Sequence, residues 1–183
     1  DYPSEIRAPA GTLAGVSGYQ LHFGDNEVMT PGDAPSVLVA MNPAALKVHL
    51  KELEPGGIII ANEDEFTPAN LAKAKYEANP LEADALDAYR LIPVRITTLN
   101  DRAVESAGLS RSERDRCKNF FALGLLLWLF DRPLQPVLEW MIKKFGKSRS
   151  VLMANGASLR AGYNYAETAE LFQGPPQFRL KHH

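Results

Sequence analysis

The first clear pattern along the chain is an alternation of apolar and polar side chains over residues 17–23, in which Tyr19, Leu21 and Phe23 share one face. A period of two is typical of a half-buried strand. The turn-forming residues 24–26 follow, and residues 27–29 suit a second short strand. The sequence therefore predicts an antiparallel hairpin near the start of the chain.

Two continuous apolar runs, residues 36–41 and 58–61, are each followed by a signal for the start of a helix. Continuous apolar runs are typical of strands that are covered on both faces, as in a parallel sheet. Asn42 and Thr67 suit helix caps, and a proline follows each of them at the first helical position. The alternation predicts a parallel sheet with right-handed crossovers, whose two helices extend to about residues 53 and 76.

The rest of the chain predicts one more strand and then only helices. Residues 89–96 suit a strand, and Pro93 indicates that it lies at an edge or a bulge. Ser110 and Glu113 have the spacing of a capping box. Helical periodicity then predicts helices over residues 111–130, 134–146 and 151–161, the last one ending at Gly162. The predicted class is α/β, a three-layer α/β/α arrangement with a mostly parallel sheet, an early antiparallel hairpin and a helical second half.

Composition limits the classes of function. The chain has 183 residues, a formal net charge of −2 and one cysteine. The chain has no excess of basic residues that would favour binding to nucleic acid or to a membrane surface. No apolar run reaches the roughly 18 residues of a membrane span. One thiol forms no internal disulfide and holds no iron–sulfur cluster, so the expected compartment is the cytoplasm. We expect one domain over residues 1–172 and a linker or tail over residues 173–183, where the terminal His pair is either native or the remnant of a purification tag.

The opening segment is rich in small residues around one cation, Arg7. Gly11, Gly15 and Gly18 allow backbone to come close to a ligand or to another chain. The spacing is neither that of a P-loop nor that of a dinucleotide-binding fingerprint. A structural cluster of turns is favoured here, and a ligand loop remains the alternative.

A second candidate site lies where the predicted parallel strands end. Ligands of open α/β sheets bind beyond the carboxyl ends of the strands, which places Asn42 and residues 62–64 along one rim. Helix starts at Pro43 and Pro68 would direct amide groups to this rim, as suits a phosphate or a carboxylate. In the simpler interpretation, Asn42 and Thr67 only cap helices and residues 63–65 form a solvated acidic loop.

Few other residues suggest chemistry. His22 and His49 have no partner at metal-ligand spacing, so a metal site is not predicted. Cys117 near the start of a helix is favoured as a packed structural thiol over a reactive one. Asn119 precedes an apolar run and would need a hydrogen-bond partner if buried, which makes it a candidate for a bridge to the rim or to another chain.

Several stretches resemble the gamma domain of 2-oxoacid:ferredoxin oxidoreductases, most narrowly the front of the fused alpha subunit of 2-oxoglutarate-type enzymes. The resemblance covers nearly the whole chain. It rests on residues 2–17, 37–46, 62–66, 117–124 and 161–168.

The resemblance implies a part of an enzyme that decarboxylates a 2-oxoacid oxidatively, forms an acyl-coenzyme A and reduces ferredoxin. It implies that thiamine diphosphate, magnesium and a 4Fe-4S cluster belong to the remaining alpha-subunit domains or to the beta subunit, and that this chain is not active alone. The family has a glycine-rich strand and helix before the segment that opens here and a pyrimidine-binding domain after it, so a longer polypeptide is expected. The candidates proximal to substrate or coenzyme A are Arg7, Gly11, Thr12, Gly15, Asn42 and Asn119, and no catalytic residue is assigned.

Two other functions stay open beside this one. The chain could be an independent domain that binds a phosphate-bearing ligand, which a concave rim lined by Arg7, Asn42 and helix amides would favour. It could also be a pure assembly domain, which an extended surface of glycine loop and apolar residues would favour.

Overall fold

The computed structural model describes residues 2–7, 16–22, 34–169 and 171, and the structural statements below concern those residues. The chain divides into two compact units, Asp1–Val94 and Arg95–His183. The predicted tail, residues 173–183, lies outside the described residues. The domain boundary near residue 172 therefore stays a prediction.

The first unit contains an antiparallel pair of strands, β1 (Tyr2–Arg7) and β2 (Ser17–His22). Arg7 lies opposite Ser17, so the expected antiparallel pairing of the early strand is present. Its partner is a strand that precedes it in the chain and was not predicted, whereas residues 27–29 lie outside the described residues. The predicted buried face is wrong for Tyr19 and Leu21, which are 65% and 45% exposed.

The same unit contains a parallel sheet of β3 (Val37–Ala40), β4 (Ile58–Asn62) and β5 (Arg90–Val94), in the order β3-β4-β5. Every residue of the central strand β4 is buried, as its run of isoleucines predicts. Each isoleucine side chain so buried contributes about 1.5–3 kcal/mol. Among the described strands, Pro93 lies on the outer one, β5, which agrees with the predicted edge position, since an edge tolerates a missing amide.

Short helices follow the first two parallel strands. They are α1 (Pro43–His49), extended by a 3-10 turn at Leu50–Glu52, and α2 (Pro68–Lys73). Further 3-10 turns lie at Glu63–Glu65 and Asp84–Leu86. The predicted starts are confirmed, but α2 ends earlier than predicted, because Lys75 adopts a left-handed conformation with φ of 58°.

The second unit is helical, and its described residues, 95–169 and 171, hold one helix more than predicted. Its helices are α3 (Ile96–Val104), α4 (Arg111–Leu129), α5 (Gln135–Phe145) and α6 (Arg149–Thr168), with a 3-10 turn at Glu105–Ala107. The capping box of α4 is present as predicted. The strand predicted over residues 89–96 is too long, because Ile96 already begins α3. None of the helices in the described ranges is long and apolar enough to cross a membrane.

Helix α6 runs through Gly162, so the prediction that it ends there is wrong. The glycine serves a close approach of two helices instead. A Cβ at Gly162 would lie 2.0 Å from the backbone oxygen of Phe121 on α4, and one at Gly124 would lie 2.2 Å from the backbone oxygen of Leu159 on α6. Helices α4 and α6 therefore cross at two glycines. The α/β class, with a parallel sheet, an early antiparallel pair and a helical second half, is confirmed.

Candidate functional site

The carboxyl ends of β3 and β4 meet at one edge of the parallel sheet. Ala40 lies beside Ala61 in the register, so the residues that follow the two strands begin at the same level. Asn62, the last residue of β4, is fully buried. A buried amide at a strand end is costly unless it is hydrogen-bonded, and Asn62 does have an interaction partner. The ends of β3 and β4 therefore lie side by side, as the prediction of a rim requires.

Asn42 caps α1 at this rim. Its Oδ1 accepts a hydrogen bond from the backbone N–H of Ala45 at 2.8 Å, and Pro43 occupies the first helical position. A side-chain cap of this kind stabilises a helix by about 1 kcal/mol. The capping interpretation is confirmed, and a ligand contact of Asn42 stays a prediction.

The second helix start at the rim is also occupied by its own cap. Thr67 Oγ1 accepts from the backbone N–H of Asn70 at 3.3 Å. Asn70 Nδ2 in turn donates to the backbone oxygen of Glu65 at 2.9 Å and to Glu65 Oε2 at 3.2 Å. Glu63 is exposed. Carboxylates held beside the helix start oppose a bound anion, which weakens the phosphate hypothesis for this edge.

The structure does not gather the six predicted site residues into one described site. Arg7 ends β1, where only its backbone pairing is described. Gly11, Thr12 and Gly15 lie outside the described residues. Asn42 belongs to the first compact unit and Asn119 to the second.

Asn119 is exposed on α4, so the condition under which it would need a buried partner is not met. The buried polar side chains of the second unit are instead Asn100, Asn155 and Ser158. Ser158 and Asn100 were not among the predicted candidates. The sequence carries no local signal for this pair, because Asn100 and Ser158 lie on helices 58 residues apart in the chain.

Ser158 and Asn100 tie three helices together. Ser158 Oγ on α6 lies 2.7 Å from Asn100 Oδ1 on α3 and 2.8 Å from the backbone oxygen of Cys117 on α4. Asn100 Nδ2 donates to the backbone oxygen of Arg114 at 2.9 Å. A hydroxyl has one proton, so Ser158 donates to one of its two acceptors at a time. Buried and hydrogen-bonded to other helices, this network is structural.

Cys117 is buried, as expected for a packed thiol. Its Sγ donates to the backbone oxygen of Glu113 at 3.4 Å. Burial raises the pKa of the Cys117 thiol, and the nearby Glu113 carboxylate raises it further. A raised pKa disfavours the thiolate that nucleophilic or redox chemistry needs.

The donor set of this chain does not fit the metal groups that the resemblance implies elsewhere. A 4Fe-4S cluster takes about four thiolates, and the sequence has one cysteine, which is buried. Over the described ranges, no three His, Cys, Asp or Glu residues come together in a way that could hold a metal ion.

Comparisons with known proteins agree on one family. The family model "Pyruvate ferredoxin/flavodoxin oxidoreductase" matches residues 1–165. The chain is similar to the 2-oxoglutarate oxidoreductase subunit KorA of Mycobacterium tuberculosis, with 49% identity over 172 residues. That alignment covers 94% of this chain and 26% of the relative, so the chain spans about a quarter of the length of the curated relative it matches.

Two solved structures have a similar fold. One is a 2-oxoglutarate:ferredoxin oxidoreductase from Magnetococcus marinus with 2-oxoglutarate, coenzyme A and succinyl-CoA bound, at a TM-score of 0.60 and 22% identity, over 85% of this chain and 23% of that one. The other is the gamma subunit of a keto/oxoacid ferredoxin oxidoreductase from Geobacter sulfurreducens, at a TM-score of 0.54 and 14% identity, over 91% of this chain and 80% of that one. At sequence identities this low, the two structures show a similar fold and nothing more.

Proposed function

Because the chain belongs to the pyruvate ferredoxin/flavodoxin oxidoreductase family, we propose that it is the gamma domain of a 2-oxoacid:ferredoxin oxidoreductase. The complete enzyme oxidatively decarboxylates a 2-oxoacid, forms an acyl-coenzyme A and reduces ferredoxin in the cytoplasm. The observation that carries the proposal is 49% identity over 94% of this chain with a 2-oxoglutarate oxidoreductase subunit. This relative favours 2-oxoglutarate as the substrate.

This chain contributes assembly and the coenzyme A side of the active site, and the redox groups reside in its partners. Two features support this division of labour: the single, buried cysteine and the raised pKa of its thiol. Thiamine diphosphate, magnesium and the 4Fe-4S cluster then belong to the remaining alpha-subunit domains and the beta subunit. The domain extends over residues 1–172, and the chain is inactive without its partners.

The test is reconstitution of the complete enzyme. We expect reduction of a viologen dye that depends on both 2-oxoglutarate and coenzyme A when all subunits are present, and none from this chain alone. Turnover by the purified chain alone would contradict the division of labour. A complete enzyme that accepts other 2-oxoacids and not 2-oxoglutarate would contradict the substrate.

The opening segment is the proposed contact with coenzyme A. Arg7 carries a planar guanidinium, which suits a phosphate or a carboxylate. In the complete enzyme, Arg7→Ala is expected to raise the KM for coenzyme A, while the matched loss of an exposed cation in Lys51→Ala leaves it unchanged. If Arg7→Ala alters neither that KM nor the association of the subunits, the segment has no role in either.

A pure assembly domain is the second candidate. It is favoured by the side chains at the strand ends, where Asn42 and Thr67 are engaged in capping their own helices. Under this alternative, Arg7→Ala weakens subunit association and leaves the KM for coenzyme A unchanged in the enzyme that does assemble.

A further inference from the structure

The second unit carries a stretch of chain with cations and no acids. Residues 140–166 contain four lysines and arginines over residues 143–149, a fifth at Arg160, and no aspartate or glutamate. The formal net charge of the whole chain is −2, so this excess of positive charge is local. The four clustered cations, Lys143, Lys144, Lys147 and Arg149, lie where α5 ends and α6 begins, and are called the basic junction below.

The basic junction is exposed and electrostatically unsatisfied. All four of its side chains are exposed, and none forms an ion pair within the described part of the second unit. Glu105, in the 3-10 turn across from the start of α6, forms no ion pair with Arg149 there either. Like charges held close together repel one another, and a negatively charged occupant would remove that repulsion.

An apolar groove adjoins the basic junction. It has a volume of about 410 Å³ and lies between α6 on one side and α3 with its following turn on the other. Its lining is mostly small and apolar: Ala103, Val104, Ala107, Met153, Ala154 and Ala157. Arg149 also lines the groove, one helical turn from Met153, so this cation of the basic junction and the groove share one face of α6.

Exposed apolar side chains lie in the groove and on the end of α5 that carries part of the basic junction. Met153 is 60% exposed on α6, and Ile142 is 59% exposed on α5. Methionine and arginine are enriched at protein interfaces, where an apolar centre is surrounded by a polar rim. A small anion would use the cations and leave Met153 and the groove in water. The combination therefore fits a protein surface that offers both carboxylates and an apolar side chain.

We propose that the basic junction and the Met153 groove form a docking site for an acidic protein surface on the catalytic partner subunit. Carboxylates of the partner pair with Lys143, Lys144, Lys147 and Arg149, and one apolar side chain seats in the groove beside Met153. The identity of the partner rests on the proposed function, whereas the sign of its charge follows from this chain alone.

The test measures the affinity of this chain for the partner subunit in the complete enzyme. The variant Lys143→Glu/Lys144→Glu/Lys147→Glu is compared with a control of equal charge change, Lys51→Glu/Lys73→Glu/Arg111→Glu, whose side chains are also exposed. Circular dichroism verifies that both variants fold. We expect the dissociation constant to rise at least about tenfold in the junction variant and no more than about twofold in the control, with the difference shrinking at ~0.5 M salt.

A further variant, Met153→Ala, tests the apolar part. It is expected to weaken binding equally at low and high salt, because its contribution is not electrostatic. Equal dissociation constants for the junction and control variants would overturn the docking site, as would a junction variant that raises only the KM for coenzyme A, since that result indicates a small phosphate-bearing ligand. A wild-type chain that binds no partner subunit would overturn the proposed function, and this inference with it.

Discussion

The crossing of α4 and α6 makes a quantitative prediction for Gly162→Ala. The new Cβ would lie 2.0 Å from the backbone oxygen of Phe121, so the helices must separate by roughly 1.4 Å to reach ordinary contact at 3.4 Å. Overpacking of this kind costs about 3 kcal/mol or somewhat more when backbone must move. Alanine returns about 1 kcal/mol through its higher helix propensity. The expected net loss is about 2 kcal/mol, or a fall in Tm of about 4–8 °C.

Gly156→Ala on the same helix is the matched control. Its Cβ would meet the flexible end of Arg160 at 3.2 Å and a methyl group of Leu138 at 3.9 Å, which leaves room to adjust. The propensity gain then dominates, and the variant is expected to be neutral or more stable by up to about 1 kcal/mol. Urea unfolding followed by circular dichroism measures both variants. If Gly162→Ala is as stable as Gly156→Ala, the two helices do not approach as closely as described.

Three further predictions concern hydrogen bonds. Ser158→Ala removes the donor to buried Asn100 Oδ1, and is expected to lower the free energy of unfolding by about 1–3 kcal/mol. Ser150→Ala, at an exposed serine, serves as the control in the same denaturation series. Equal stabilities of the two variants would contradict the network. Asn42→Ala is expected to cost about 1 kcal/mol and Asn42→Asp far less, because aspartate also caps; equal losses in thermal melts would count against the cap. Hydrogen bonds from Ser110 lower the pKa of Glu113 below its ordinary value of 4.5. The ionised Glu113 therefore stabilises the folded state fully above pH 4.5, and this stabilisation is lost as the pH falls through the lowered pKa. When the free energy of unfolding is measured against pH, Glu113→Gln should therefore lose less stability at acid pH than the wild type does. An equal loss in both proteins would show that the capping box does not respond to pH.

Local sequence signals predicted the elements whose ends are set by nearby residues. Asn42 with Pro43, Thr67 with Pro68, and Ser110 with Glu113 marked three helix starts, and each of the three side chains caps as predicted. The reason is that a cap is completed within about four residues of the chain. The buried parallel strands were likewise visible, because a strand covered on both faces has no polar positions.

Two elements lack such local signals. Strand β1 falls in the opening segment, whose small residues favour turns, and its pairing with β2 closes across that segment, with Arg7 opposite Ser17. Helix α3 is absent from the prediction, because its N-cap position is Arg95 and no side chain caps it. Among the candidate site residues, Asn119 was singled out on the condition of burial, and the fold leaves it exposed. Whether the other candidates contact a ligand stays a prediction.

Gly162 shows most clearly which question needs the tertiary structure for its answer. By itself, a glycine after a helical pattern signals a helix end, because it adopts conformations that other residues avoid. Here the helix continues through it, and the missing side chain lets the backbone of α4 come close. The sequence alone determined the class of fold, the caps and the buried strands. Only the tertiary structure decided between a glycine that ends a helix and one that admits another helix, because that choice depends on what packs against it.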